Sequence, residues 1–184
     1  MEKTMKTTNN QARLRKLVMT ALLAAVATAL MFFSFNVPLM PSFIKLDLSE
    51  LPALIAAFSM GPLSGAAVCL VKNLVNVMFT NTGGVGELSN FLLGCFFVVP
   101  AGLIYKYWKG RMGALVGSLV GAAAMALLSV FTNYFIVYPI YTNFMSMEAI
   151  MGAYQLINPK VETLWQALWI FNAPFTFIKG LLSV

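Results

Sequence analysis

The short stretch TGGVGELSN, residues 82–90, joins two long apolar runs and carries Gly83, Gly84 and Gly86 beside a carboxylate, Glu87, and an amide, Asn90. Glycine-rich loops can cradle phosphate, but a P-loop needs a lysine and a spacing that this stretch lacks. Glycines here open backbone angles closed to other residues and let a ligand approach the main chain. Two roles remain open for Glu87 and Asn90, about one helical turn apart. The carboxylate could be stabilised by a helix N-terminus, or the pair could serve as acceptors for a polyhydroxylated or amide-bearing ligand.

Other polar groups interrupt apolar sequence in the same way. Asp47 followed by Glu50 resembles a capping box with aspartate in the cap position. Before it, Leu39 and Met40 lie between Pro38 and Pro41, and Phe43 follows them. They read either as a shaped loop or as an apolar lid over a flat ligand, a role suited to methionine and aromatic side chains. Lys72 sits midway along an apolar run, where a lysine needs a partner. Glu50 or Glu87 could supply it as a structural ion pair, or Lys72 could meet a ligand. Asn133, Asn172, Thr176 and Lys179 complete the polar set. Amides both donate and accept, which suits the edge of a heterocycle, although a single asparagine in a membrane helix is more often interhelical glue.

Several chemistries are excluded. The chain has no histidine, so histidine bases, triads and histidine-ligated metals are absent. It has no G-x-S-x-G elbow, no H-E-x-x-H pair and no nucleotide-binding motif. Cys69 and Cys95 fall inside apolar runs and read as inert buried thiols. No catalytic residue, cofactor or metal site is expected.

The elements that must position these groups are membrane helices. Of 184 residues, 60% are hydrophobic and 10% charged, with a mean hydropathy of +0.82. Soluble domains carry about 25% charged residues, so this composition cannot coat a soluble particle. The apolar runs are continuous rather than alternating, which argues against a β-barrel. At about 20 residues per crossing, the expected fold class is an all-α integral membrane bundle of six transmembrane helices. The spans read as residues 17–35, 48–60 (short), 63–79, 86–105, 112–138 and a last one within 164–184. A basic segment, residues 1–16, precedes one transmembrane domain, residues 17–184; the first span reads as retained rather than as a cleaved signal peptide. If the last helix opened only at Asn172, about 18 Å would remain at 1.5 Å per residue. Either that helix begins earlier, near Leu164, or the C-terminus has been lost.

Charge placement sets the orientation. Lys3, Lys6, Arg13, Arg15 and Lys16 share a side with Lys106, Lys109 and Arg111, and that side should be the cytoplasm. The net charge of +6 therefore follows membrane topology, and no nucleic-acid partner is expected. Five of the six acidic residues fall on or near the outer side, where the first, third and fifth connections would form the mouth of the bundle. Small residues recur every fourth position at Ala21, Ala25 and Ala29 and again at Gly113, Gly117 and Gly121. Such ladders allow close helix approach; the alanine face could equally be an exterior surface for a partner protein.

Taken together, KLDLSELPALIAAFSMGPLSG, KNL at residues 72–74, TGGVGELSNFLLG, PAGLIYK, the Asn133–Tyr134 pair before Pro139, and FNAPFTFIKG resemble the riboflavin-specific substrate-binding (S) components of energy-coupling-factor (ECF) transporters. The resemblance extends over nearly all the chain after residue 16. It implies a six-helix vitamin-binding subunit of the cell membrane without its own ATPase, working with a scaffold (T) subunit and two ATP-hydrolysing (A) subunits. It implies riboflavin near the outer mouth, with Leu39 and Met40 matching lid positions and Asn133 and Lys179 matching polar contacts. Thr176 stands where the family would have asparagine. Ala21 and Ala25 best match the family's alanine motif on the first helix, which contacts the scaffold subunit. Related chains continue past the last helix. The alternatives are an S component for another flavin or vitamin, an intramembrane enzyme, or a self-sufficient carrier. For the last, neither inverted repeats nor a polar stripe is visible.

Overall fold

The computed structural model describes residues 2–38, 40–41, 44–80 and 83–184, with side chains from Asn10 onward. Apart from one short ribbon, the regular elements described are helical. The first helix, α1 (Glu2–Phe32), carries the basic N-terminal segment and the first apolar run as one element. A two-residue antiparallel ribbon follows, β1 (Phe35–Asn36) on β2 (Lys45–Leu46), pairing Phe35 with Leu46 and Asn36 with Lys45. Then come α2 (Glu50–Met60), α3 (Pro62–Val77), α4 (Val85–Tyr107) and α5 (Arg111–Thr132). α5 runs on through a π-helical turn, Asn133–Val137, into α6 (Tyr138–Tyr141). α7 (Met147–Gln155) is a separate helix in the fifth connection, capped by the Ser146 hydroxyl accepting from the Ala149 N–H. The last rod is α8 (Leu164–Ala167), a second π-helical turn, Leu168–Asn172, and α9 (Ala173–Leu182). The rod begins at Leu164, ahead of Asn172.

The two π-helical turns have a common cause. Each lies just ahead of a proline, Pro139 or Pro174. A proline lacks an N–H and its ring crowds the carbonyl four residues back, so the backbone ahead of it widens to re-pair its carbonyls. Such turns recur at functional sites, and Asn133 and Asn172 each occupy one end of theirs.

Among the described residues, three helices are long and apolar enough to cross a membrane: Asn10–Phe32, Val85–Tyr107 and Arg111–Tyr141. α2 and α3 are apolar but shorter, at 11 and 16 residues, about 16 and 24 Å of rise. Length and composition alone therefore support half of the expected six crossings.

Backbone approach explains the bundle's close packing. α4 packs on α3 and α5, α9 on α5, and α2 and α3 on each other and on α1. A Cβ placed on Gly121 would lie 2.4 Å from the Phe97 carbonyl oxygen, and one on Gly117 2.8 Å from that of Ala101. The glycine ladder is thus internal packing between α4 and α5. Gly61, at φ 102°, makes the hairpin between α2 and α3, with Pro62 opening α3. Gly83 and Gly84 adopt positive φ, 63° and 87°, at the entry to α4, whereas Gly86 lies inside that helix.

The capping box does not form. Ser49, not Asp47, occupies the cap position of α2 and makes no side-chain cap bond, and Glu50 is the first helical residue. Asp47 instead accepts from the Ser49 N–H at 2.9 Å and pairs with Lys179 at 3.0 Å, while Glu50 turns inward to Lys72 at 2.8 Å. An unpaired buried charge costs more than an uncapped helix end, so the long-range pairs override the local pattern.

Candidate functional site

At one end of the bundle the helices part around a cavity of about 390 Å³. Its apolar walls include Met31 and Phe32 from α1, Phe79, Leu93 from α4, Met125 from α5 and Phe175 from α9. Its polar groups converge from α3, α4, the π-helical turn that follows α5, and the last rod. Asn76 of α3 donates to Glu87 Oε1 at 2.9 Å, and Ser89 of α4 donates to Asn133 Oδ1 at 3.2 Å. Lys179 of α9 donates to Asp47 Oδ2 and to Asn90 Oδ1 at 2.9 Å, crossing 132 residues of sequence to reach the aspartate. Tyr138, Tyr141, Asn172 and Thr176 complete the far wall, and Ile44 and Lys45, at the start of β2, border the mouth.

A buried hydrogen-bond network continues beneath this floor. Asn90 donates to Asn73 Oδ1 at 3.3 Å, and Asn73 to the Cys69 carbonyl at 2.8 Å. Lys72 donates to Ser49 Oγ at 2.6 Å and Glu50 Oε1 at 2.8 Å, and the Cys69 thiol leans on Glu50 Oε2 at 3.7 Å. Lys72 and Glu50 are fully buried. Of the partners the sequence offered Lys72, the structure selects Glu50; Glu87 serves Asn76, and Lys72 lies outside the cavity wall. Among the described residues every buried side-chain nitrogen and oxygen has a partner. Burial works to raise the Asp47 pKa, but the ammonium of Lys179, helped by Lys72 and Ser49, overcomes it and holds the carboxyl well below its ordinary range.

The structure gathers six of the sequence-derived binding candidates, Glu87, Asn90, Asn133, Asn172, Thr176 and Lys179, around this one cavity. Met40 is half-buried and does not line it. Leu39 and Phe43 lie outside the described residues. Sequence reading missed Asn76, Ser89, Tyr138 and Tyr141, and took Asp47 for a cap. Asn76 was accessible: it follows Lys72 by four residues and Asn73 by three, which puts it on their face of α3.

On the opposite side of α1, Ala21, Ala25 and Ala29 are exposed, whereas Ala24 and Ala27 are buried against the core. The alanine ladder is therefore an outer face, bordered by exposed Leu22 and Val26.

The chemistry available is recognition. Apolar faces can sandwich a flat ring while a polar perimeter addresses its edge and any hydroxylated chain. Among the described residues no three metal-ligating side chains converge.

Known proteins are similar to this chain over most of its length. A model of the family described as "ECF transporter, substrate-specific component" matches residues 15–184. The riboflavin transporter FmnP of Bacillus subtilis (strain 168) is 32% identical over 172 residues, 92% of this chain and 86% of that protein. The riboflavin transporter RibU of Staphylococcus aureus (strain TCH60) is 32% identical over 94% of this chain and 86% of its own length. A solved structure of the S component of a bacterial ECF transporter superposes with a TM-score of 0.73 at 30% identity, covering 93% of this chain and 89% of that one.

Proposed function

Because this chain belongs to the family of substrate-specific components of ECF transporters, we propose that it binds riboflavin in the cavity between α3, α4, α5 and α9 and serves as the substrate-specific subunit of a riboflavin uptake system. It is a transport subunit, not an enzyme. The observation that carries the reading is the convergence of Asn90, Asn133, Asn172 and Lys179 on one cavity with methionine, leucine and phenylalanine walls. An isoalloxazine ring is flat, apolar on its faces and rich in donors and acceptors along one edge. A ribityl chain needs several hydrogen-bonding partners, which Glu87, Asn90 and Asn76 supply. The cavity volume, about 390 Å³, falls within the range of about 300–1,000 Å³ usual for small-ligand sites. No resident cofactor is needed; riboflavin is cargo. Met40, with Leu39 and Phe43, belongs to the connection that would close over it.

The chain lies in the cell membrane as a multi-pass protein. α1, α2, α3, α4, α5 with α6, and the rod from Leu164 to Leu182 form six passes, α2 reaching only part of the way. The basic N-terminus and the Lys106–Arg111 connection face the cytoplasm by the positive-inside rule, so the cavity opens outward. Uphill uptake needs energy, and the chain has no nucleotide-binding motif. ATP-hydrolysing A subunits acting through a T subunit supply it, and the exposed face of Ala21, Ala25 and Ala29 is the surface that would seat the T subunit.

The test is the visible absorption spectrum of protein purified in detergent from riboflavin-fed cells. A flavin band that stays with the protein through size exclusion is expected. Colourless protein that also fails to quench added riboflavin would replace riboflavin with another vitamin. Replacing Ala21 and Ala25 by tryptophan should abolish uptake while sparing binding; intact uptake would remove the docking role.

A further inference from the structure

Behind the far wall of the cavity, three side chains form a hydrogen-bond chain. Tyr154, near the end of α7, is fully buried and does not touch the cavity. Its hydroxyl donates to Asn172 Oδ1 at 2.7 Å, and the Tyr138 and Tyr154 hydroxyl oxygens are 2.5 Å apart. An amide oxygen has no hydrogen to give and a phenol has one. With Oδ1 facing Tyr154, that phenol spends its hydrogen on Asn172, and the hydrogen between the two phenols comes from Tyr138. Tyr138 also interacts with Asn172, and both of these residues line the cavity.

An asparagine amide can occupy its site in either of two flips that exchange oxygen and nitrogen. In the observed flip Oδ1 faces the Tyr154 hydroxyl, which donates to it at 2.7 Å. The amino group, with two hydrogens, is left on the other side. One N–H can meet the Tyr138 oxygen, and the second remains to address a ligand. We propose that Tyr154 is a positioning residue for recognition: it locks the Asn172 amide so that an N–H donor, not a carbonyl, faces the bound molecule, and so selects a ligand with a ring carbonyl or imine nitrogen at that edge. This rests on the riboflavin reading above, and riboflavin carries both kinds of acceptor. It also assigns α7, which supplies no cavity wall, a part in binding.

The experiment is a riboflavin fluorescence-quenching titration of detergent-purified wild type, Tyr154→Phe, Asn172→Ala and the double variant, with melting and size exclusion run alongside. Tyr154→Phe keeps the ring and removes only the hydroxyl. It should weaken riboflavin about tenfold, the scale of one hydrogen bond, and this loss should vanish when Asn172 is already alanine. Asn172→Asp, which still accepts from Tyr154 but offers no N–H, should lose at least as much affinity as Asn172→Ala. A merely structural tyrosine would weaken binding by the same factor in both backgrounds, and that result would overturn the proposal. So would unchanged affinity in Tyr154→Phe or in Asn172→Asp. Should Asn172→Ala fall below detection, the single Tyr154→Phe and Asn172→Asp variants decide by the same criteria. A wild type that leaves riboflavin fluorescence unchanged removes both this proposal and the ligand reading, whereas a binding wild type with an unaffected Tyr154→Phe removes this proposal alone.

Discussion

The two cores of this protein are built on opposite plans. One is rich in alanine, with Ala24, Ala27, Ala53, Ala56, Ala57 and Ala101 beside Leu54, Val68, Phe97 and Val98, and its helices come within backbone contact at Gly117 and Gly121. The other is made of Val130, Val137, Tyr138, Tyr141, Tyr154 and Leu168, and it flanks a cavity lined with amides and charges. Small residues let backbones meet and leave no room for a guest. Large, partly polar residues on π-widened helices hold the other end open. Lipid supplies little hydrophobic force between helices, so close packing and interhelical hydrogen bonds carry the association. That lets the first core act as the frame against which the second can stay hollow.

The sharpest way to break the comparison is at the ion pair beneath the floor. Lys72→Met leaves Glu50 buried without its cation and should destabilise the fold by about 3–5 kcal/mol, read as a lowered melting temperature in detergent. Adding Glu50→Gln should restore much of it; a single Lys72→Met as stable as the parent would mean the pair is not shielded from water. Next comes the close-packed core. Gly121→Ala sets a methyl against the Phe97 carbonyl and should cost about 1–3 kcal/mol, as overpacking does, while affinity per folded molecule stays unchanged. In the hollow core the order reverses. Asn133→Ala should weaken riboflavin about tenfold with little change in melting, since it removes a group facing the cavity. A melting loss larger than that of Gly121→Ala would place Asn133 in the frame instead.

The frame was far more legible in the sequence than the site. Long apolar runs broken by glycine and proline located α2 to α5 within a few residues, because at this hydropathy little else satisfies the backbone in a bilayer, whereas α1 begins well ahead of the apolar run that announced it. A mid-span lysine announced a buried partner, and the alanine and glycine ladders announced surfaces of close approach, though only the structure separated inside from outside. Local pattern failed where charge acted over distance. Asp47 and Glu50 have a cap's spacing, but their partners are Lys179, 132 residues away, and Lys72. The ribbon of Phe35–Asn36 with Lys45–Leu46 and the helix α7 lie in connections where short elements depend on tertiary contacts rather than periodicity. Tyr154 carried no signal, because its role exists only once Asn172 is beside it. The asparagines were legible for a different reason: each is an amide that both donates and accepts, set among apolar residues.

The measurement that bears most directly on the hollow core is a riboflavin titration of a variant whose cavity has been filled. Ser89 lines the cavity from α4, and Ser89→Phe would place a ring where the ligand should lie. Wild-type protein should quench riboflavin with one ligand per chain, and Ser89→Phe, melting no lower than the parent, should not quench at all. Full quenching by the filled variant would mean that the ligand binds elsewhere and would contradict the account.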